Sequence, residues 1–462
     1  MIPFREVVDR ALDGPITSGR DYDLKFLVPT SRRLAQGYDI VYDPDNPVPS
    51  DDALADRVWK AGLELFLEVG VYCPDTERRI TFTREEVHQA LAHGRREIKF
   101  GTGVDRRSFP RRLPEDSTLP WCSLGAGGGA VSSEFHLIAL IREYARNPLC
   151  WSVTTPSLTH VDGQTIVAGS PLEVEGAIRN MTLAREALRQ AERPGLPIVN
   201  GVASAAHASS HIAGLGFGIG PTDAMEIGAH HEMRVDFDSM SKVAYTLSRG
   251  TQIWAENGVV LGGMAGGPAT TAIVTAAYNL LDILVLRGST QHPFPIHFNL
   301  RTTTTRDALW VRSVANQAIA RNSWLPVANL GYVGAGPMTK MALYETAAWV
   351  TAAVVSGGSI EAEGVAKNAH VDHTSPIEPY FASEVAHAVA GTSRDEANRI
   401  VKALLGKYED DLADAPIGAP VQECMDLESG EICPAFLDLY REVRQEMTDE
   451  LGIEFQSPSL YA

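Results

Sequence analysis

Three groups of histidines and carboxylates carry side chains able to do chemistry. His207 and His211 lie four apart, so on a helix they share one face, as metal ligands would. His230, His231 and Glu232 form a second group, and His370, Asp372 and His373 a third. No HExxH or comparable strict spacing links them. They therefore read as surface or hydrogen-bonded side chains rather than as a metal site. Glu226, in Pro-Thr-Asp-Ala-Met-Glu, follows an expected strand at 216–220, where a carboxylate can serve as acid, base or cation ligand. Helix capping is its plain alternative, although Thr222 or Asp223 would cap better. His297 sits inside an expected strand, Pro-Ile-His-Phe-Asn-Leu. A histidine facing inward at depth needs a partner, through a structural hydrogen bond or a place in the site. Tyr332 and Asn329 lie at another strand end. Arg306 opens a helix after four threonines, with a salt bridge to Asp307 or a neighbour as the plain reading. GxSxG and P-loop motifs are absent.

The elements that must position these residues follow from pattern. An apolar helical repeat over 52–70 stops at Gly70, and Thr83-Arg-Glu-Glu86 is a capping box opening a helix to about residue 93. From Pro120 onward short β-prone runs alternate with long helical ones. Strands are expected at 121–124, 150–154, 196–200, 216–220, 259–263, 282–286, 295–299 and 327–331. Helices are expected at 132–146, 172–191, 238–255, 270–280, 306–322 and 339–355. Such alternation gives parallel βαβ units, and about eight of them favour a closed barrel over an open sheet. The fold class expected is α/β, a (β/α)8 TIM-type barrel with α-helical N- and C-terminal additions. The boundaries expected are 1–115 for an α-rich extension, 116–390 for the barrel and 391–462 for a helical cap. The gap from 286 to 295 leaves little room for a helix. Glycines gather where strands are expected to end: 125–129, 214–220, 262–267 and 334–336. Glycine there lets backbone approach a bulky ligand.

Bulk properties exclude several classes. The chain has 462 residues, too many for one small core, with 44% hydrophobic and 21% charged residues. Its net charge of −18 disfavours phosphate backbones, so no nucleic-acid partner is expected. The pairs Arg95-Arg96 and Arg111-Arg112 read as solvated surface. No run looks long and apolar enough for a membrane span, and the N-terminus is charged where a signal peptide needs an apolar core. A cytoplasmic protein with no membrane contact is expected. Five widely spaced cysteines form no CxxC pair, against a disulfide framework or structural zinc.

Ala61-Gly-Leu-Glu-Leu-Phe-Leu-Glu-Val-Gly-Val-Tyr-Cys73, Gly169-Ser-Pro-Leu-Glu-Val174, Arg193-Pro-Gly195, Gly262-Gly-Met-Ala-Gly-Gly267, Thr305-Arg306, Ala335-Gly-Pro337 and Gln422-Glu-Cys424 occur in an ordered series. In that order and spacing the chain resembles the monomethylamine:corrinoid methyltransferases over nearly its whole length. The resemblance implies a barrel, a homo-oligomer, and transfer of a methyl group from a small methylated amine to the corrinoid of a separate corrinoid protein at the barrel mouth. No tightly bound cofactor is expected, and no metal, because the histidines lack ligand spacing and the cysteines form no cluster. The family's pyrrolysine falls at or beside Asn200, where an asparagine cannot form an imine adduct. A family carboxylate falls at Ala269 or Thr270 and is lost, and a family glutamine falls at Leu330 and is lost. Glu226, His297 and Tyr332 are kept. Catalytic roles are therefore expected at Glu226, Asn200 and Tyr332, and substrate contacts at Ala269, Thr270, His297, Leu330 and Arg306.

The function expected is a corrinoid-dependent methyltransferase acting on a methylated amine other than monomethylamine. A bulky residue at Gly266 or Gly336 is expected to block docking of the corrinoid protein. The alternatives are a metal-dependent barrel hydrolase or lyase, and a non-catalytic homologue that binds the corrinoid protein.

Overall fold

In a computed structural model, residues 1–94, 98–200, 207–366, 370–455 and 460–461 are described, and the side chains of Asn200 and Ala362 lie outside that set. Eight parallel strands alternate with eight helices. The strands are β1 (Cys122–Gly125), β2 (Ser152–Thr154), β3 (Val199–Asn200), β4 (Ala224–Ala229), β5 (Gln252–Asn257), β6 (Thr290–Pro293), β7 (Ala328–Tyr332) and β8 (Ser359–Gly364). The helices that follow them are α1 (Glu134–Arg146), α2 (Pro171–Gln190), α3 (Ala208–Gly218), α4 (Phe237–Ser248), α5 (Pro268–Leu281), α6 (Arg306–Asn322), α7 (Lys340–Val355) and α8 (Ile377–Ala388). Strands β3, β4, β5 and β6 form one parallel sheet, and β7, β8, β1 and β2 another. Single parallel bridges, Val153 to Ile198 and Gln291 to Val327, join the sheets at both seams. The ring closes, as a (β/α)8 barrel requires.

The helices form where amphipathic runs meet good caps. Thr305 caps α6, Thr339 caps α7, and Asp236 caps α4, each accepting from a backbone N–H in the first turn. Thr83 and Glu86 make the reciprocal capping box that their spacing predicts. Outside the ring, the helix Asp52–Val69 packs on α5 and α6, and Pro434–Leu451 packs on α7. The strands Ile98–Phe100 and Arg107–Phe109 form an antiparallel hairpin that plugs the N-terminal end of the barrel. Phe100 and Phe109 pack there on Trp121 and Trp254, with Phe109 and Trp121 stacked at 5.1 Å. One end is thus sealed with apolar rings, and the strand C-termini form the open mouth.

Several expectations are corrected. Residues 216–218 end helix α3 rather than forming a strand, so the 214–220 glycines lie mostly inside a helix. Residues 282–286 continue α5 as a wide, π-type turn, and the strand comes later, at 290–293. That shift makes room for the helix whose absence the short gap implied. Helix α4 stops at Ser248, because Arg249-Gly250 turns the chain, with Gly250 at φ +69°, and 252–257 becomes β5. The expected strands at 259–263 and 295–299 survive as the two-residue strands Val260–Leu261 and Ile296–His297, paired outside the ring.

Arg112 is not solvated surface. It is 2% exposed and donates to the carbonyls of Val354 and Gly358 at the end of α7, and to Thr118 and Asp116. A guanidinium has enough donors to satisfy several such carbonyls at once. Arg95-Arg96 lies outside the described residues.

By length and composition Pro268–Leu286 could cross a membrane, contrary to the sequence reading. It is α5 with its extension, and 89% of its apolar window is buried inside the protein. A Cβ added at Gly336 would meet the Ile417 carbonyl oxygen at 1.6 Å, and one at Gly266, whose φ is +83°, would meet Thr270 Oγ1 at 2.7 Å. Bulky variants there would read out folding rather than docking.

Candidate functional site

Strand alternation decides what faces the barrel interior. On β4, Met225 and Ile227 pack outward among apolar residues, while Glu226 and Gly228 line an inner cavity. On β5, Glu256 lines the cavity above Trp254, which belongs to the plug. On β7, Leu330 and Tyr332 line it, while Asn329 turns outward to Arg312 and Asn316 of α6. On β6, Gln291 bonds Asn279 of α5, and His292 points inward. The cavity is about 620 Å³ and opens at the strand C-termini. Loop and helix residues complete its wall, including Gly127, Gly128, His207, His211 and Lys242.

Behind the cavity wall lies an unbroken polar chain. His292 is 1% exposed, with Nδ1 2.6 Å from Glu226 Oε1 and Nε2 2.5 Å from Glu361 Oε2. Both contacts are short, although neither oxygen lies along the N–H direction. Glu361, 0% exposed, also accepts from the Thr154 hydroxyl, and Thr154 lies 3.2 Å from Ser123 Oγ. Burial alone would lower the His292 pKa, but the charges of Glu361 and Glu226 outweigh it and raise the pKa well above the ordinary value. The ring is held between two carboxylates that favour its charged form.

Glu256 is the third carboxylate. Burial, and then the charge of Glu226, push its pKa up to about 7. Burial, and then Glu256, raise the Tyr332 phenol well above its usual value, so it remains a hydrogen-bond donor. In the rim, His230 pairs with Asp236 at 2.8 Å and Lys242 with Asp238 at 2.9 Å. His211 is 1% exposed, and among the described residues its Nε2 has no hydrogen-bond partner. Burial, and then Lys242, lower its pKa to about 3, so the ring is neutral.

Glu226 and Glu256 join the Tyr332 face inside the cavity, with the paired Asp236 and Asp238 in its rim, an arrangement that can hold a cation where low polarity strengthens charge interactions. Because the folded pKa of Glu256 is raised, that group is protonated below about pH 7 and anionic above it. Binding of a cation such as tetramethylammonium is therefore expected to tighten as pH rises through that value. Calorimetric titration at roughly pH 6 and pH 8 checks this, since the unshifted carboxyl near 4.3 would give equal affinities.

Glu226, Tyr332 and Leu330 are brought together as the sequence implied. Asn200 ends β3 beside Met225, with its side chain outside the described set. His207 and His211, read as surface or hydrogen-bonded, line the cavity instead. Four other expected contacts lie elsewhere. Ala269 and Thr270 open α5 in a separate pocket beside Tyr42 and Arg32. His297 lies outside the ring, half-buried, its Nδ1 accepting from the Leu300 N–H at 3.2 Å. Arg306 pairs with Glu409 at 2.5 Å rather than with Asp307. The carboxylate counted as lost at 269–270 does not leave the cavity without a second one, since Glu256 is there.

Sequence reasoning missed His292, Glu256 and Glu361. The available signal was alternation, polar inward and apolar outward, in 252–257 and 359–361. Among the described residues, Glu226, His292 and Glu361 are the set whose ligand atoms lie close enough to share a metal ion, within 4.8 Å of one another. The two ring nitrogens, however, face different carboxylates from opposite edges, which suits ion pairing.

Comparison with known proteins agrees with this architecture. Residues 3–453 match the family model described as Monomethylamine methyltransferase MtmB. The chain is 29% identical over 449 residues to monomethylamine methyltransferase MtmB1 of Methanosarcina barkeri, covering 97% of each chain. It is 29% identical over 452 residues to MtmB1 of Methanosarcina acetivorans, again covering 97% of each. The crystal structure of the Methanosarcina barkeri monomethylamine methyltransferase superposes with a TM-score of 0.93 at 28% identity, covering 98% of each chain. A hydroxylamine complex of MtmB superposes at 0.94, also at 28% identity and 98% coverage of each. An acidic cavity at the mouth of a (β/α)8 barrel and a match along almost the whole chain lead to one assignment: the chain belongs to the monomethylamine methyltransferase MtmB family.

Proposed function

We propose that this chain transfers a methyl group from a methylated amine bulkier than monomethylamine to the cobalt of a corrinoid carried by a separate protein. The observation that carries the reading is the cavity: Glu226, Glu256 and Tyr332 at the open end of the barrel suit an alkylammonium ion. The corrinoid, as acceptor substrate, supplies the cobalt nucleophile. Everything else falls to this chain's residues. Glu226 and Glu256 hold the nitrogen, Tyr332 contributes its ring face or hydroxyl, and Leu330 packs N-methyl or ring carbon. As the methyl leaves, the nitrogen loses its positive charge. Carboxylate contacts are thus stronger before transfer than during it, and they serve chiefly to bind and orient the donor. Asn200, where the resemblance implies pyrrolysine, has no chemistry for an imine adduct. In this reading the protein works in the cytoplasm as a homo-oligomer.

Exposed apolar residues support docking of a protein at this end. Phe135, Val167, Met264, Phe298, Val371 and Ile417 are 39–62% exposed, and each belongs to a segment after a barrel strand or packed on one. Aromatic side chains dominate such contacts. Replacing Phe298, which is 62% exposed, with glutamate is expected to raise KM for the corrinoid protein by roughly tenfold or more. Tetramethylammonium binding should stay as it was. Steady-state kinetics with varied corrinoid protein makes the check, and an unchanged KM would remove Phe298 from the interface.

The Glu226, His292 and Glu361 cluster favours a second reading, a metal-dependent barrel hydrolase or lyase. Elemental analysis separates the two. The expected result is no stoichiometric zinc or iron in the purified protein. One tightly held metal per chain, lost with activity in a His292 variant, would favour the second reading.

A further inference from the structure

We propose that His292 is a positioning residue: pinned between Glu226 and Glu361, it aims the Glu226 carboxylate into the cavity and sets the charge that a bound cation meets. The inference rests on the cation-binding reading of the cavity. Glu226 lines the cavity, and among the described residues its ion-pair partner is His292. Glu361 does not line the cavity; it sits behind His292, 0% exposed, anchored by Thr154. The contacts run Ser123, Thr154, Glu361, His292, Glu226, and of these Thr154 and Glu226 line the cavity. Glu226 lies inside β4, whose backbone fixes where the side chain leaves the sheet but not its rotamer, so the carboxylate needs a fixed partner to keep one direction.

The ring is itself constrained. Trp254 and Phe294 pack around it at 6.4 and 6.3 Å between centroids, and Phe294 packs edge-on against Tyr332 at 5.4 Å. His292 therefore also touches the ring that supports the cavity's aromatic wall. The titratable groups that face it from the surrounding elements are Glu226 on β4, Glu256 on β5, Glu361 on β8 and Asp282 at the end of α5. Burial raises the Asp282 pKa well above its ordinary value. The three glutamates and His292 set the charge on the strand side of the cavity, and the Lys242–Asp238 and His230–Asp236 pairs lie in its rim. A positive charge at 292 keeps the carboxylates from repelling one another and leaves Glu226 turned to the ligand.

The test uses the full chain with tetramethylammonium as the probe. Calorimetry is run on the unmodified protein, on His292→Gln and on Glu361→Gln. Glu361→Gln alters a residue that never meets the ligand, and it carries the test if His292→Gln fails to fold. The expected result is binding to the unmodified protein and a roughly tenfold or greater loss in each folded variant. In methyl-transfer kinetics the loss should fall on KM for the amine more than on kcat, since the carboxylate contact is strongest before transfer. Nitrogen-15 NMR of the His292 ring should show both nitrogens protonated near pH 8. A neutral ring, unchanged tetramethylammonium affinity in the folded variants, or no binding to the unmodified protein would each overturn the proposal. Calorimetry and NMR need no corrinoid protein. Absent methyl transfer with the expected binding losses would therefore count against the proposed reaction and leave this role standing.

Discussion

Glu361→Ala is expected to destabilise the folded protein by about 3–5 kcal/mol, the cost typical of removing one partner from a buried ion pair. Glu361 is 0% and His292 1% exposed, so water cannot replace the lost carboxylate. The imidazolium would keep Glu226 on one edge and face a cavity on the other. The Thr154 hydroxyl would lose its acceptor as well. Glu361→Gln retains the volume and one acceptor oxygen, and its loss should be smaller. Urea unfolding followed by circular dichroism gives both values. A Glu361→Ala cost below about 1 kcal/mol would mean that His292 is neutral in the folded state, since an unpaired buried charge cannot be so cheap.

The second large effect concerns the methyl donor. Monomethylamine is expected to react roughly a hundredfold to ten-thousandfold more slowly than the preferred amine. Its pKa is about that of a lysine amine, so near neutrality it is a small cation with little surface to bury. Glu226 and Glu256 can attract it, but a cavity of about 620 Å³ does not enclose it. Leu330, 2% exposed and lining the cavity, offers no hydrogen bond where the resemblance implies an amide, and Asn200 offers no covalent capture. Each lost hydrogen bond to a charged group is worth roughly 1.5–3 kcal/mol. A tertiary or quaternary amine regains binding through apolar contact with Leu330 and Tyr332. Initial rates for a panel of amines test the ranking. Monomethylamine as the fastest donor would show that Leu330 and Asn200 leave its recognition intact.

The helices were legible in the sequence because their signals are local. Helix α6 begins at Arg306 and ends at Asn322, as periodicity and the Thr305 cap predict. The same holds for the helix Asp52–Val69, which stops at a glycine with φ +70°. Strands were harder where they carry the site. A strand whose inward positions are Glu226, Glu256, His292 or Glu361 loses the apolar run that marks a barrel strand. Residues 252–255 were absorbed into a helix, and the strand beyond α5 was sought at Pro-Ile-His-Phe. That error put His297 in the barrel when the interior histidine is His292, five residues earlier. The partners of a buried charge are remote in sequence: Glu361 lies 69 positions beyond His292, and only the closed ring brings them to 2.5 Å. Tyr332 could be found because it ends a strand where barrel sites gather, whereas Glu226 was singled out behind an expected strand at 216–220 and lies inside β4.

The most direct test of the account is a single-turnover experiment with a corrinoid protein as methyl acceptor, its cobalt reduced to the +1 state. The protein is mixed with saturating tertiary or quaternary methylated amine, and the corrinoid spectrum is followed by stopped flow. The account predicts conversion to the methylated corrinoid spectrum, with Glu226→Gln slowing it at subsaturating amine. No spectral conversion with any methylated amine, from an enzyme that is folded and binds tetramethylammonium, would contradict it.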